Sequence, residues 1–239
     1  MSGLITHFRA GRFIWTGLVT FYFLVFFRNF FADALPGQTA LPLVFAFVFV
    51  LWLAVEYYFG SPFFQSGVVE HSAFWRGAFA FFVYPYLGYV AADFIWWHWT
   101  QIPVPAAVTG VLGLAVFGLG TFIRLDTLFG ILGIAQVKRA PGGRQVAERV
   151  FVPERKLVGI RLQKLSRHPR YLGTFVQLVG AALTFRSWGG LVLALAVGLP
   201  FIWVQVRYED GRLRAMLKGD LQDYMAAVPL FWPRLQSRG

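Results

Sequence analysis

Apolar stretches of about 20 residues recur through this chain, each long enough to cross a hydrocarbon layer roughly 30 Å thick as a helix. A backbone in lipid must satisfy its own hydrogen bonds, and no strand pattern stands out, so the runs predict helices. They extend from Phe13 to Phe31, Leu41 to Phe59, Ala73 to Trp99, Val104 to Ile123, Leu172 to Phe185 and Trp188 to Val206. Pro36-Gly37, Gly60-Ser61-Pro62, Pro103 with Pro105, and Arg186-Ser187 separate them, and Pro85 predicts a kink in the third. The reading is an all-α integral membrane protein of about six transmembrane helices, a single domain over residues 1–239. Within it, residues 1–103 form N-terminal helices and residues 104–239 a core.

Composition supports this. Only 14% of residues are charged and 57% are apolar, where a soluble domain carries about a quarter charged residues. Lys and Arg number 22 against 11 Asp and Glu. In a chain this apolar, that excess points to membrane lipids and cytoplasmic loops rather than to nucleic acid. It concentrates between Arg124 and Arg170, where Lys138, Arg139, Arg144, Arg149, Arg155, Lys156, Arg161, Lys164 and Arg167 face only Asp126, Glu148 and Glu154. The positive-inside rule makes the 124–170 loop cytoplasmic. Arg9 and Arg12 place the N-terminus on the same side, and the basic tail returns the C-terminus there. Ala32-Asp33-Ala34 mimics a signal-peptidase site, but the run before it is long and aromatic, so a retained first helix is expected.

Chemically able residues gather at the mouths of the last apolar hairpin and nowhere inside it. One mouth carries Arg167-His168-Pro169-Arg170-Tyr171-Leu172-Gly173, and the other carries Arg207-Tyr208-Glu209-Asp210. Asp223-Tyr224 and Val228-Pro229-Leu230-Phe231-Trp232-Pro233 follow. A helical hairpin returns its chain to the side it left, so His168 and Tyr171 should meet Arg207 and Glu209. Residues 213–225 fit a surface helix with Leu213, Met216, Leu217 and Leu221 on one face. Arg149-Val150-Phe151-Val152 could be a short extended piece. Glu56 and Asp93 fall in or near spans, where interfacial placement explains both.

Arg-His-Pro-x-Tyr-x-Gly, an apolar hairpin, Arg-x-Glu-acid and Tyr-x-x-x-Val-Pro-x-x-x-Pro resemble, in this order, the isoprenylcysteine carboxyl methyltransferase family. The likeness covers roughly the last third of the chain. Gly118-Leu119-Gly120 is similar to the Gly-x-Gly motif of the related phospholipid N-methyltransferases. The resemblance implies a membrane enzyme that uses S-adenosylmethionine to methylate a lipid-like or small apolar acceptor. It implies that His168, Tyr171, Gly173, Glu209 and Tyr224 bind the cofactor, with Gly118 and Gly120 beside it. Arg207 and Glu209 would be catalytic, Arg207 pairing with a carboxylate and Glu209 accepting from the cofactor's ammonium or ribose. The family's second acid is usually Glu, whereas Asp210 stands here.

No metal site is expected. His7, His71, His98 and His168 lie far apart, and cysteine is absent. Two other functions stay open: a sterol-type membrane reductase using NADPH, whose hairpin has a similar His-Pro-x-Tyr opening, and a non-catalytic scaffold of the same fold. The acceptor atom is open between oxygen, nitrogen and sulfur.

Overall fold

A computed structural model describes residues 10–34, 40–65, 73–132, 136–139, 145–149, 162, 165–216 and 222–231. Its helices are α1 (Ala10–Ala34), α2 (Ala40–Gln65), α3 (Ala73–Ala92), α4 (Ala106–Leu132), α5 (Pro169–Thr184), α6 (Trp188–Leu193), α7 (Leu199–Met216) and α8 (Gln222–Ala227). A π-helical turn, Asp93–Trp97, prolongs α3, and another, Ala194–Gly198, joins α6 to α7. The second has a cause in the sequence, because Pro200 follows it and supplies no N–H to the ladder.

Four helical stretches are long and apolar enough to cross a membrane: Phe13–Phe31, Ala40–Phe59, Ala106–Gly130 and Trp188–Gly211. They match the first, second, fourth and sixth apolar runs. The third and fifth expected spans are helical, but they are not among these four. Helix α5 has only 16 residues, about 24 Å at 1.5 Å per residue, short of a full crossing. Helix α1 leaves Phe13, Ile14, Trp15, Leu18, Phe21 and Tyr22 well exposed. An apolar face of that extent suits lipid and not water. These are the dimensions of an integral membrane protein.

The structure corrects the sequence reading at three places. Helix α4 continues past Ile123 to Leu132, so Arg124 and Asp126 are helical rather than part of the loop. No Pro or Gly interrupts the run until Gly130. Helix α7 likewise passes Val206 and carries Glu209 and Asp210 on its body. Gly211 is tolerated there at a cost of about 1 kcal/mol. A separate helix beginning at Leu213 is therefore not seen, and residues 217–221 lie outside the described ones. The third departure is a two-stranded antiparallel hairpin in the basic loop, β1 (Gln136–Arg139) with β2 (Gln145–Arg149), which an all-α reading did not include. It pairs Val137 with Ala147 and Arg139 with Gln145. Of the piece expected to be extended, residues 149–152, Arg149 ends β2 and residues 150–152 lie outside the described ones.

The tightest helix pair is α4 against α5, and glycines make it possible. A Cβ at Gly120 would sit 2.6 Å from the Gly173 carbonyl oxygen. One at Gly180 would meet the Phe117 backbone nitrogen at 2.4 Å, and one at Gly113 the Thr184 nitrogen at 2.2 Å. Small residues at these crossings let two backbones touch, the usual packing of helices in lipid. Phe117 then packs in a buried aromatic cluster with Phe45 and Phe185.

The end of the bundle away from His168 is closed by a polar clasp. Asp93 is fully buried at that end. Its Oδ1 accepts from the Trp99 and Thr100 backbone N–H groups at 2.9 and 3.2 Å, and its Oδ2 from Thr100 Oγ1 at 2.6 Å. Thr100 Oγ1 lies 2.9 Å from Ser187 Oγ, which caps α6 by accepting from the Gly190 N–H. The α3–α4 connection is thus tied to the turn between α5 and α6. Arg186 in that turn takes a left-handed φ of 55°, the hairpin tip expected at Arg186-Ser187.

Candidate functional site

Pro169 opens α5 at its first turn, and its ring disfavours helical geometry at the residue before it. His168 accordingly has φ −128° and caps the helix from outside. Its backbone N–H donates to Ser166 Oγ at 3.2 Å. Helix α5 then runs to Thr184, turns, and the chain comes back through α6 and α7. This return brings Glu209 and Asp210 beside His168 and Tyr171.

Tyr171 Oη donates to Glu209 Oε1 in a short hydrogen bond across 38 residues of sequence. Gln205, one turn earlier on α7, donates its Nε2–H to the same oxygen at 3.2 Å. The other oxygen, Oε2, lies 3.5 Å from His168 Nδ1, and Asp210 Oδ1 lies 3.7 Å from His168 Nε2. Arg167 reaches Asp210 Oδ1 at 2.5 Å. The Glu209 side chain is 21% exposed and that of Asp210 only 6%. Glu209 is therefore the carboxylate that a ligand could touch, while Asp210 serves as a buried counter-ion to Arg167 and His168.

Burial of His168 works to lower its pKa. The carboxylates of Asp210 and Glu209 act against this through hydrogen bonding and charge, and the net effect lifts it above the ordinary histidine value. Its Nε2 is buried without a hydrogen-bond partner among the described residues. A buried donor in that condition is costly.

The other expected site residues stand in different settings. Gly173 and Gly120 face each other in the α4–α5 contact, so both are committed to helix packing. A Cβ at Gly118 would meet nothing within 4 Å, so the backbone there is open. Arg207 is exposed and does not join the cluster; its guanidinium lies over the Trp203 ring at 5.0 Å. Residues two apart on a helix point to different faces, so Arg207 and Glu209 cannot share one. Tyr224 is on α8, and its side chain lies outside what is described. The Val-Pro turn does pack onto the site: Val228 and Phe231 are buried, and the Pro229 carbonyl accepts from the Arg167 N–H at 3.0 Å.

Sequence reasoning missed Gln205 and the Arg167–Asp210 pair. Gln205 had a signal, since it stands four residues before Glu209 on one helix face. It also missed that Glu56 is buried in an ion cluster with Arg124 and Arg170. Those partners are 68 and 114 residues away, and no local pattern marks them. Among the described residues no group of His, Asp and Glu is arranged to hold a metal ion.

The chain is 29% identical over 153 residues to methanethiol S-methyltransferase 2 of Bradyrhizobium diazoefficiens, a stretch covering 60% of this chain. The match spans 56% of that relative's length. No protein-family model and no solved structure matches the chain.

Proposed function

We propose that this chain is a membrane methyltransferase that uses S-adenosylmethionine and methylates a small apolar or lipid-like acceptor. The observation that carries the reading is the meeting of Tyr171, His168 and Glu209 at one mouth of a membrane hairpin. The similarity to a methyltransferase over 60% of the chain supports the same reaction class.

The residues present fit such a cofactor. S-adenosylmethionine, when bound, supplies a methyl group already activated on a sulfonium. Glu209 is part-exposed and anionic, suited to accept hydrogen bonds from an ammonium or from ribose hydroxyls. Tyr171 offers a ring face and a hydroxyl to an amphiphilic cation. His168, buried with Asp210 Oδ1 3.7 Å from its Nε2, backs Glu209 at this mouth. Open backbone at Gly118 leaves room beside α4, while Gly120 and Gly173 hold α4 and α5 together. The Val228–Pro229 turn, with Tyr224 on α8 before it, covers this mouth.

Methyl transfer is an in-line displacement, so the protein mainly has to align the reacting atoms and keep water out. An apolar acceptor gains about 0.8 kcal/mol per methylene by remaining in lipid, which favours lateral access between helices. Arg207, on another face of α7, would then meet a carboxylate or headgroup on the acceptor side rather than the ligand of Glu209. The relative's named substrate makes a small thiol the first acceptor to try. Purified protein in lipid should transfer a labelled methyl group from S-adenosylmethionine to a panel of thiols, prenylated cysteines and phospholipid amines. Activity lost in Glu209→Gln is expected. Transfer to no acceptor, with no binding of the cofactor, would contradict the proposal.

A further inference from the structure

The N-terminal helices carry no motif of the site, yet one of their residues reaches its back. Glu56 on α2 is buried. Its Oε2 accepts from Arg124 Nε at 3.0 Å. Its Oε1 takes both the other arm of Arg124 and Arg170, the latter at 2.8 Å. Arg124, on α4, also donates to Thr174 Oγ1 on α5 and lies 5.0 Å from the Trp52 ring centroid. One carboxylate thus gathers α2, α4 and α5.

Arg170 stands between His168 and Tyr171 in the first turn of α5. Successive helical residues point about 100° apart, so the turn presents His168 and Tyr171 to α7 and Arg170 to α2. The front of the turn meets Glu209, and the back is held by Glu56. A rotation or slide of this turn would move both ligand-facing side chains at once. Two guanidiniums on a buried carboxylate give a stiff anchor, because the paired fork fixes direction as well as distance.

We propose that Glu56 is a positioning residue for the site, acting through Arg170 to set where His168 and Tyr171 stand against Glu209. Its consequence for ligand binding rests on the methyltransferase reading; its consequence for His168 does not.

The test uses Arg170→Gln, which frees the turn while leaving the Glu56–Arg124 pair, and Arg170→Lys, which retains a cation for Glu56. The full chain in detergent, labelled at histidine, is titrated by NMR, with His168 assigned by its loss in His168→Gln. Glu209, Asp210, Arg167 and Tyr171 surround that ring. Removing a nearby positive charge alone would raise the His168 midpoint. Loosening its contact with Glu209 would lower it, so the two causes differ in sign. The expected result is a folded Arg170→Gln protein whose His168 midpoint falls and whose binding of S-adenosylhomocysteine weakens about tenfold, as for loss of a supporting contact, with recovery in Arg170→Lys. A midpoint unchanged or raised in the folded variant overturns the proposal. Should Arg170→Gln not fold, Glu56→Gln replaces it, and unchanged binding there also overturns it. Failure of both to fold would make Glu56 a residue of the fold and not of the site. If the wild type binds no S-adenosylhomocysteine but the midpoint still falls, the positioning role stands and the methyltransferase reading fails.

Discussion

Glu209 is the residue at which the cluster converges, since it holds Tyr171 and Gln205 on one oxygen and faces His168 with the other. If it also receives the cofactor, Glu209→Gln should weaken S-adenosylhomocysteine binding by about 1.5–3 kcal/mol, the range for a hydrogen bond to a charged group. Unchanged affinity would remove Glu209 from the binding role. His168 makes a separate, pH-dependent prediction. Its pKa is raised in the folded protein, so its contribution to stability is fully present below the ordinary histidine value of about 6.5. That contribution is lost as pH rises through the folded value. Melting temperatures of wild type and His168→Gln should therefore converge as pH is raised from mildly acidic values, and parallel curves would refute the assignment. The meeting of His168, Tyr171 and Glu209 was legible in the sequence, because a hairpin of two apolar runs allows little else. The expected meeting of Arg207 with His168 is not seen, because a motif gives spacing but not helical phase. Glu56 was unreadable, since its partners are distant and its burial depends on helix packing.

At the scale of elements, the contact between α4 and α5 carries the most weight. Gly120 belongs to that contact and not to an open gap, so a side chain there should separate the helices. Gly120→Leu is expected to lower thermal stability and to abolish cofactor binding and activity together. Gly118→Ala, placed where a Cβ meets nothing within 4 Å, should leave stability nearly unchanged. A stable, binding-competent Gly120→Leu would contradict the packing seen here. Helix existence was readable from apolar runs, whereas helix ends were not. Both α4 and α7 continue beyond the apolar stretch into charged residues, because charge does not end a helix and no Pro stands there. The basic hairpin in the loop escaped notice since its strands are short and carry no alternation of apolar and polar residues.

At the scale of the whole molecule, the polar cluster at one end and the Asp93–Thr100–Ser187 clasp at the other give the bundle two chemically different faces. The basic loop and both termini should lie on the cluster's side, in the cytoplasm. Cysteine labelling at Gly142, which is outside the described residues, and at Trp188, exposed beside that clasp, should report opposite sides of the membrane. Labelling from one side would break the hairpin topology. The central claim is that this cluster serves a methyl donor and not a hydride donor. Calorimetry of the purified protein with S-adenosylhomocysteine and with NADPH tests it most directly: saturable binding of the first and none of the second is predicted, whereas binding of NADPH alone, or of neither, would contradict it.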